Sequence, residues 1–501
     1  MLLTLIRREL LNNLMTFRFA AAVLIMLLLV VANTAVLIKD YERRLEAYNT
    51  AVQKHQQDLL ETQTYSAVDL TAYRPPNPLS IFNVGLDKRL GNTLRVSYLY
   101  VPTLWDAWKY GSNNAFLNIF FSIDIVFIFQ GILSLLALVF AYDALAGERE
   151  RGTLRLVLTH AVRRGHILFA KYISAMLCLL IPLVMCFFFV LIMLTTSASV
   201  FLGTDDFLRI GGVIFTSFVY LSLFYLIGLL ISAATRRTGT ALMIAMFVWG
   251  FLVLVYPNMI LTAIETDPHT NTETSIYNQI KQIWEEFDRE RKQFLANDPV
   301  PGEDWDFGLW GDDGYTFWGG TDDSSKLLYY ESTGFHFETL KEESEPQVPH
   351  AQNYHRFFGL QVTNTADRMW IVRKPALETI YLQPANMERM LLKFSPVGLY
   401  DAATEAWIGT DLNGLQDFFI AGQRYQQAVV DYFLDNKIFE SRQWFVAAKG
   451  EIDWNTLPQF SFQRSEVDTN AKRALPDLFL LLILNLILFA TIFLIFVKSE
   501  V

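Results

Sequence analysis

The sequence predicts an α-helical polytopic membrane protein, with six transmembrane helices plus a mixed, mainly helical extracytoplasmic domain. Three observations carry this reading. The apolar residues gather in runs of about 18 or more, the length that crosses roughly 30 Å of hydrocarbon. Charged residues make up only 18% of the chain and mean hydropathy is +0.26, where a soluble domain carries about a quarter charged residues. The basic residues cluster in connectors that all fall on one side of the runs.

Residues 1–16 open with Leu2, Leu3, Ile6, Leu10 and Leu14 near one helical face, the pattern of an amphipathic interface helix. The first span is expected at 17–38. A cleaved signal peptide is the rival reading. The length of the run and the helical sequence directly after it argue against cleavage. Residues 39–117 form the first extracytoplasmic segment. Its start reads as a helix leaving the membrane and stopping at Arg74-Pro75-Pro76. SIFNVGL and TLRVSYLYVP read as short strands, and Trp105 and Trp108 as interface anchors.

The further spans are expected at 118–142, 172–195, 210–233, 240–261 and 478–497. Residues 143–171 between spans 2 and 3 hold Arg149, Arg151, Arg155, Arg163, Arg164 and Lys171. Arg7, Arg8 and Arg18 precede span 1, Arg236 and Arg237 join spans 4 and 5, and Lys498 follows span 6. The positive-inside rule places these groups, and both termini, in the cytoplasm. The opposite side receives 39–117, an acidic hairpin around Asp205-Asp206, and a domain of residues 263–474. That domain carries 34 acidic against 19 basic residues and eight of the eleven tryptophans. It is long enough to bury its own core. Within it 298–325 reads as irregular, and 349–393 and 414–447 as mainly helical. Cys178 and Cys186 lie eight apart on one expected helix and cannot bond each other.

Chemistry within the chain finds little support. There is no G-x-x-x-x-G-K-[ST] loop to cradle phosphates, no H-E-x-x-H and no G-x-S-x-G. His350 and His355 are five apart but read as surface residues rather than a metal pair. The basic clusters flank spans, which fits topogenic charge and not nucleic acid. Within the spans polar residues are few: Asn33, Asp124, Gln130 and Asn485. Asp124 reads as interfacial, with span 2 starting later, or else as facing a cavity.

The interval 143–171 is the most specific feature. A helix can end near Gly152, and Thr153 can cap the next one. Glu150, Gly152-Thr153-Leu154, Leu158, Arg163 and Lys171 together resemble the signature after the second span of ABC transporter permeases of the type-2 exporter class, with Ala161 where the family has proline. Phe394-Ser395-Pro396 and Gly409-Thr410-Asp411 are similar to a pattern before the last span in a subgroup with a large extracytoplasmic domain. The resemblance implies a transport subunit with no ATPase site or cofactor of its own. ATP and Mg would be bound by a partner ATP-binding subunit. A second permease copy or paralogue would complete the complex in the cytoplasmic (inner) membrane. It also implies a coupling helix formed by Glu148, Glu150, Gly152, Thr153, Leu154 and Leu158, with Arg163 and Arg164 at its end. The expected function is export or extraction of an unknown substrate. The alternative is a mechanotransmitting or assembly role on periplasmic proteins without cargo.

Overall fold

A computed structural model describes residues 2–87, 91–102, 107–108, 123–153, 164–263, 270–298, 346, 348–444 and 452–498. It is mostly helical, and six of its helices are long and apolar enough to cross a membrane. Helix α1 (Leu2–Leu14) packs along the third span and is separated from α2 (Phe17–Glu61) by Thr16 in extended backbone. The Thr16 hydroxyl accepts the Phe19 amide at 3.3 Å and so caps α2. Helix α2 runs 45 residues and ends at Glu61, before the Arg74-Pro75-Pro76 break named from sequence. Its stop is Thr62, whose hydroxyl and amide both return to Asp58 O.

Beyond α2 come β1 (Leu70–Tyr73), β2 (Thr93–Val96) and β3 (Ala107–Trp108), an antiparallel sheet in the order β1-β2-β3 with Leu70 opposite Val96. TLRV is therefore a strand, but SIFNVGL is not. Asn77 caps a 3-10 turn at Pro78–Ile81 and directs Ser80 to Val84 into the interior, where Phe82 stacks on Phe187 at 5.7 Å. Trp105 lies outside the described residues.

Span 2 is α3 (Ile125–Ile128), a π-helical turn (Phe129–Leu133) and α4 (Ser134–Ala141). Its first helical residue among those described is Ile125, with Asp124 as N-cap accepting the Phe127 amide at 2.7 Å; residues 118–122 of the expected span lie outside the described residues. After it comes α5 (Ala146–Glu150). Spans 3 and 4 are α6 (Arg164–Thr196) and α7 (Thr204–Ala234). Asp205 and Asp206 belong to the first turn of α7 and form no hairpin. Asp206 Oδ2 accepts the Gly203 amide at 3.0 Å, and the positive helix N-terminus favours both carboxylates. Span 5 is α8 (Thr238–Gly250), a second π-helical turn (Phe251–Val255) and α9 (Tyr256–Ala263).

The domain after span 5 contains α10 (Thr270–Asn297), α11 (Val348–Leu377), α12 (Gln383–Leu392), α13 (Pro396–Ile408) and α14 (Leu412–Asp435). The last span, α15, covers Val467–Lys498 and starts in polar sequence well before residue 478. Apart from Asp298, the stretch 298–325 lies outside the described residues.

Two hydrophobic cores result. One joins the sheet, α10, α11 and α14 around Trp284, Phe418 and Trp444. The other fills the bundle and includes Val397, Leu399, Tyr400 and Ile408. Helix α13 therefore leaves the outer domain to which the sequence reading assigned it and packs on α7 and α15. At 13 residues it is only about 20 Å long, too short to cross. Tyr400 stacks on Tyr220 at 4.3 Å and its hydroxyl bonds Ser217 at 2.7 Å. Trp407 lies so close to α7 at Gly212 that an added Cβ would sit 2.4 Å from its ring. Gln130 Nε2 donates to Asp401 at 2.6 Å and ties span 2 to the same helix.

Candidate functional site: a polar station around α5

Helix α5 and its flanks are held to the bundle by donors and acceptors that helix ends leave unsatisfied. The amides of Leu145 and Ala146 both donate to Ser232 Oγ, at 3.0 and 2.9 Å. Arg149 Nη1 donates to Ala233 O at 2.6 Å and Thr235 O at 3.2 Å, the open carbonyls at the C-terminus of α7. Glu150 Oε2 accepts the Thr238 amide at 2.9 Å and its hydroxyl at 2.6 Å, which caps the start of α8. One five-residue helix thus fastens the ends of spans 4 and 5 together. Gly152 then ends it at φ +71°, a left-handed conformation that glycine adopts without the Cβ clash other residues meet. Thr153 Oγ donates back to Glu148 O at 3.3 Å.

A second set of contacts runs through Lys171 on α6. Its ammonium lies 2.6 Å from Glu148 Oε1 and 3.2 Å from Glu9 Oε1, with the Lys171 side chain only 6% exposed. Span 3, α5 and the amphipathic α1 therefore share one buried cation. Pairing and hydrogen bonding are what make such a charge tolerable away from water. Lys171 O also accepts from Tyr225 of α7 at 3.2 Å. Arg164 at the start of α6 donates to Phe496 O near the end of α15. A cleft of about 460 Å³ opens beside the cluster, lined by Arg8, Glu9, Asn12, Glu148, Arg151 and Lys171 among others.

Of the residues singled out from sequence, Glu148, Glu150, Gly152, Thr153 and Arg164 fall within this station. Leu154, Leu158 and Arg163 lie outside the described residues. Ser232, Thr238 and Glu9 were not foreseen. Nothing periodic marks them, because their partners are distant in the chain. His350 and His355 share no site. His350 Nδ1 bonds Asp298 Oδ1 at 2.7 Å, and His355 lies against Tyr354 and Trp444. Bonds from Asn353 and His350 hold the Asp298 carboxyl below its usual range. Burial pushes the His355 imidazole down to about 3. Cys178 and Cys186 are buried, unbonded thiols.

The profile of ABC-2 family transporter proteins matches residues 3–295. A probable ABC transporter permease protein NosY of Pseudomonas aeruginosa is 30% identical over 130 residues, which are 25% of this chain and 46% of that protein. A second protein of the same description, from Stutzerimonas stutzeri, is 49% identical over 43 residues, 9% of this chain and 16% of that protein. The chain thus matches less than half the length of either relative.

Proposed function

The chain belongs to the ABC-2 family of transporter proteins, and from that premise we propose that it is the membrane-spanning permease subunit of an ABC transporter. A separate ATP-binding subunit would hold ATP and Mg and dock at the end that carries both termini. The basic connectors support a cytoplasmic position for that end and a place in the cytoplasmic membrane. A second permease, a copy or a paralogue, would complete the complex. The substrate is moved outward or extracted on this reading.

The observation that carries the proposal is the fastening of α5. A push on this short helix reaches span 2 through the chain, spans 4 and 5 through Ser232, Arg149 and Glu150, and span 3 with α1 through Lys171. Glu148 and Glu150 then act as anchors that pass force into the bundle. Gly152, Thr153, Leu154, Leu158, Arg163 and Arg164 remain for the contact with the ATPase and its flank.

Helix α13 favours a second reading, in which force reaches the outer domain and no cargo crosses. It lies in the bundle core and leads directly into Thr410, whose carbonyl accepts the Leu86 amide at 2.9 Å. Flux into proteoliposomes against an ATPase-dead control separates the two.

The test of the common premise is co-expression with the genes that flank this one, followed by purification into nanodiscs. The wild type should retain an ATP-binding subunit and stimulate its ATPase. Glu150→Lys and Gly152→Pro should still co-purify with it but lose stimulation by about tenfold. Undiminished stimulation in both variants, or a wild type that never holds an ATPase, would refute the assignment.

A further inference from the structure

At the opposite end of the bundle, where it meets the outer domain, the chain buries a group of arginines. Arg74 and Arg209 are 5% and 3% exposed. Arg44 and Arg74 share Asp87, at 2.7 and 3.2 Å. Arg464 takes Asp206 at 3.0 Å and Asn77 at 3.1 Å. Arg44 also takes Asp40, at 3.2 Å. Among the described residues Arg209 touches no carboxylate: it donates through Nη2 to the Ser465 carbonyl, and Asp206 and Asp205 act on it only at a distance, against the repulsion of Arg464. Among the described residues, Arg209 Nε and Nη1 and Arg74 Nε meet no partner. All three arginines, Arg74, Arg209 and Arg464, line one cavity of about 20 Å³, with Asp87 the one carboxylate among its lining residues. That volume suits a single small species, since one water-sized occupant needs about 10–15 Å³ by the same measure.

We propose that this cavity is a binding site for one small inorganic anion of the chloride class, held by Arg74 and Arg209. The argument is charge. A guanidinium cannot shed its proton as a lysine can. A buried cation with no carboxylate in contact, as Arg209 is, is costly, and donating hydrogen bonds to a water does not remove that cost. The site joins three parts of the chain: the segment after α2, the start of span 4 and the lead-in to span 6. An anion there makes the junction between bundle and outer domain dependent on halide. This inference does not rest on the transporter reading. The competing occupant is water, which would accept from the arginines and also donate to Asn470 Oδ1, an unpartnered acceptor on the same wall.

The test uses full-length protein in detergent micelles. Thermal unfolding is followed while chloride or bromide replaces gluconate, which is too large for the cavity, at constant ionic strength and pH. Tm should rise saturably with either halide, by about 2 °C or more. The dependence should vanish in Arg209→Gln and persist in Arg95→Gln, a control at an exposed ion pair. Crystals grown in bromide should show an anomalous peak between Arg74 and Arg209. Identical unfolding in halide and gluconate, or no bromide peak at that position, overturns the proposal in favour of water. A peak without halide-dependent Tm marks an adventitious ion only, and also overturns it. If Arg209→Gln fails to fold, the wild-type halide series and the bromide peak decide the matter.

Discussion

The two ends of the bundle are both fastened by a helix too short to cross a membrane, yet by different means. At the end with the termini, α5 is held by polar bonds to helix ends, some of them buried, as at Ser232, and some exposed. Glu150 is solvent-exposed, and both its bonds are to Thr238 at the start of α8. At the domain end, α13 is sunk among α7, α15 and span 2 by stacked rings and buried hydroxyls. Polar bonds between side chains and helix ends can be broken and remade one at a time. Close-packed aromatic contacts cannot, because any shift opens a void. The first end is thus joined by separable bonds, and the second by packing that resists a shift.

The sharpest way to break this contrast is at Gly212, where the Trp407 ring fills the space of a side chain. Gly212→Val should destabilise the protein by about 3 kcal/mol through overpacking, read as a lowered Tm in detergent. A near-wild-type Tm would show that the domain end yields as easily as the other.

Lys171→Met should cost about 2 kcal/mol, since it leaves Glu148 and Glu9 without their cation but still partly exposed. Its larger consequence should be functional. With α1 released from α6, stimulated ATPase should fall even at temperatures where the variant is fully folded. Equal losses of ATPase and folded fraction would reduce Lys171 to a merely structural role.

The last prediction concerns pH. His355 is neutral when folded, at about 3, and near 6.5 when unfolded. The unfolded chain therefore binds the extra proton below about pH 6.5. Stability should be full above that value and fall on acidification, by at most about 1.4 kcal/mol per unit. His355→Gln should flatten the slope of Tm against pH between 4 and 6.5. An unchanged slope would place the acid sensitivity of the outer domain elsewhere.

The spans were legible because a lipid solvent demands long unbroken apolar runs. Their ends were not. Asp205, Asp206 and residues 467–477 continue helices beyond the apolar core, where helix termini favour the polar residues that read as loop. Helix α13 was misassigned because PVGLYDAATEAWI is short and mixed, and only its neighbours reveal that it belongs to the bundle. At the candidate site the resemblance drew attention to Glu148, Glu150 and Gly152. Lys171 was noted only among the basic residues of 143–171 and as part of that resemblance. Its partners lie 23 and 162 residues away, and no local pattern records such a meeting.

Helix α2 has a mechanical consequence of its own. Its 45 residues contain neither glycine nor proline, so nothing along it invites a bend. It begins one residue after the linker from α1, the helix tied to Lys171, and ends beside the strands of the outer domain. At 1.5 Å per residue it is about 67 Å long, and a tilt of about 5° at its foot sweeps the tip through about 6 Å. Between Thr16 and Thr62 the helix offers no built-in bend, so a displacement where α1 is gripped would pass along it to the point where Arg44 meets Asp87 and Ser80.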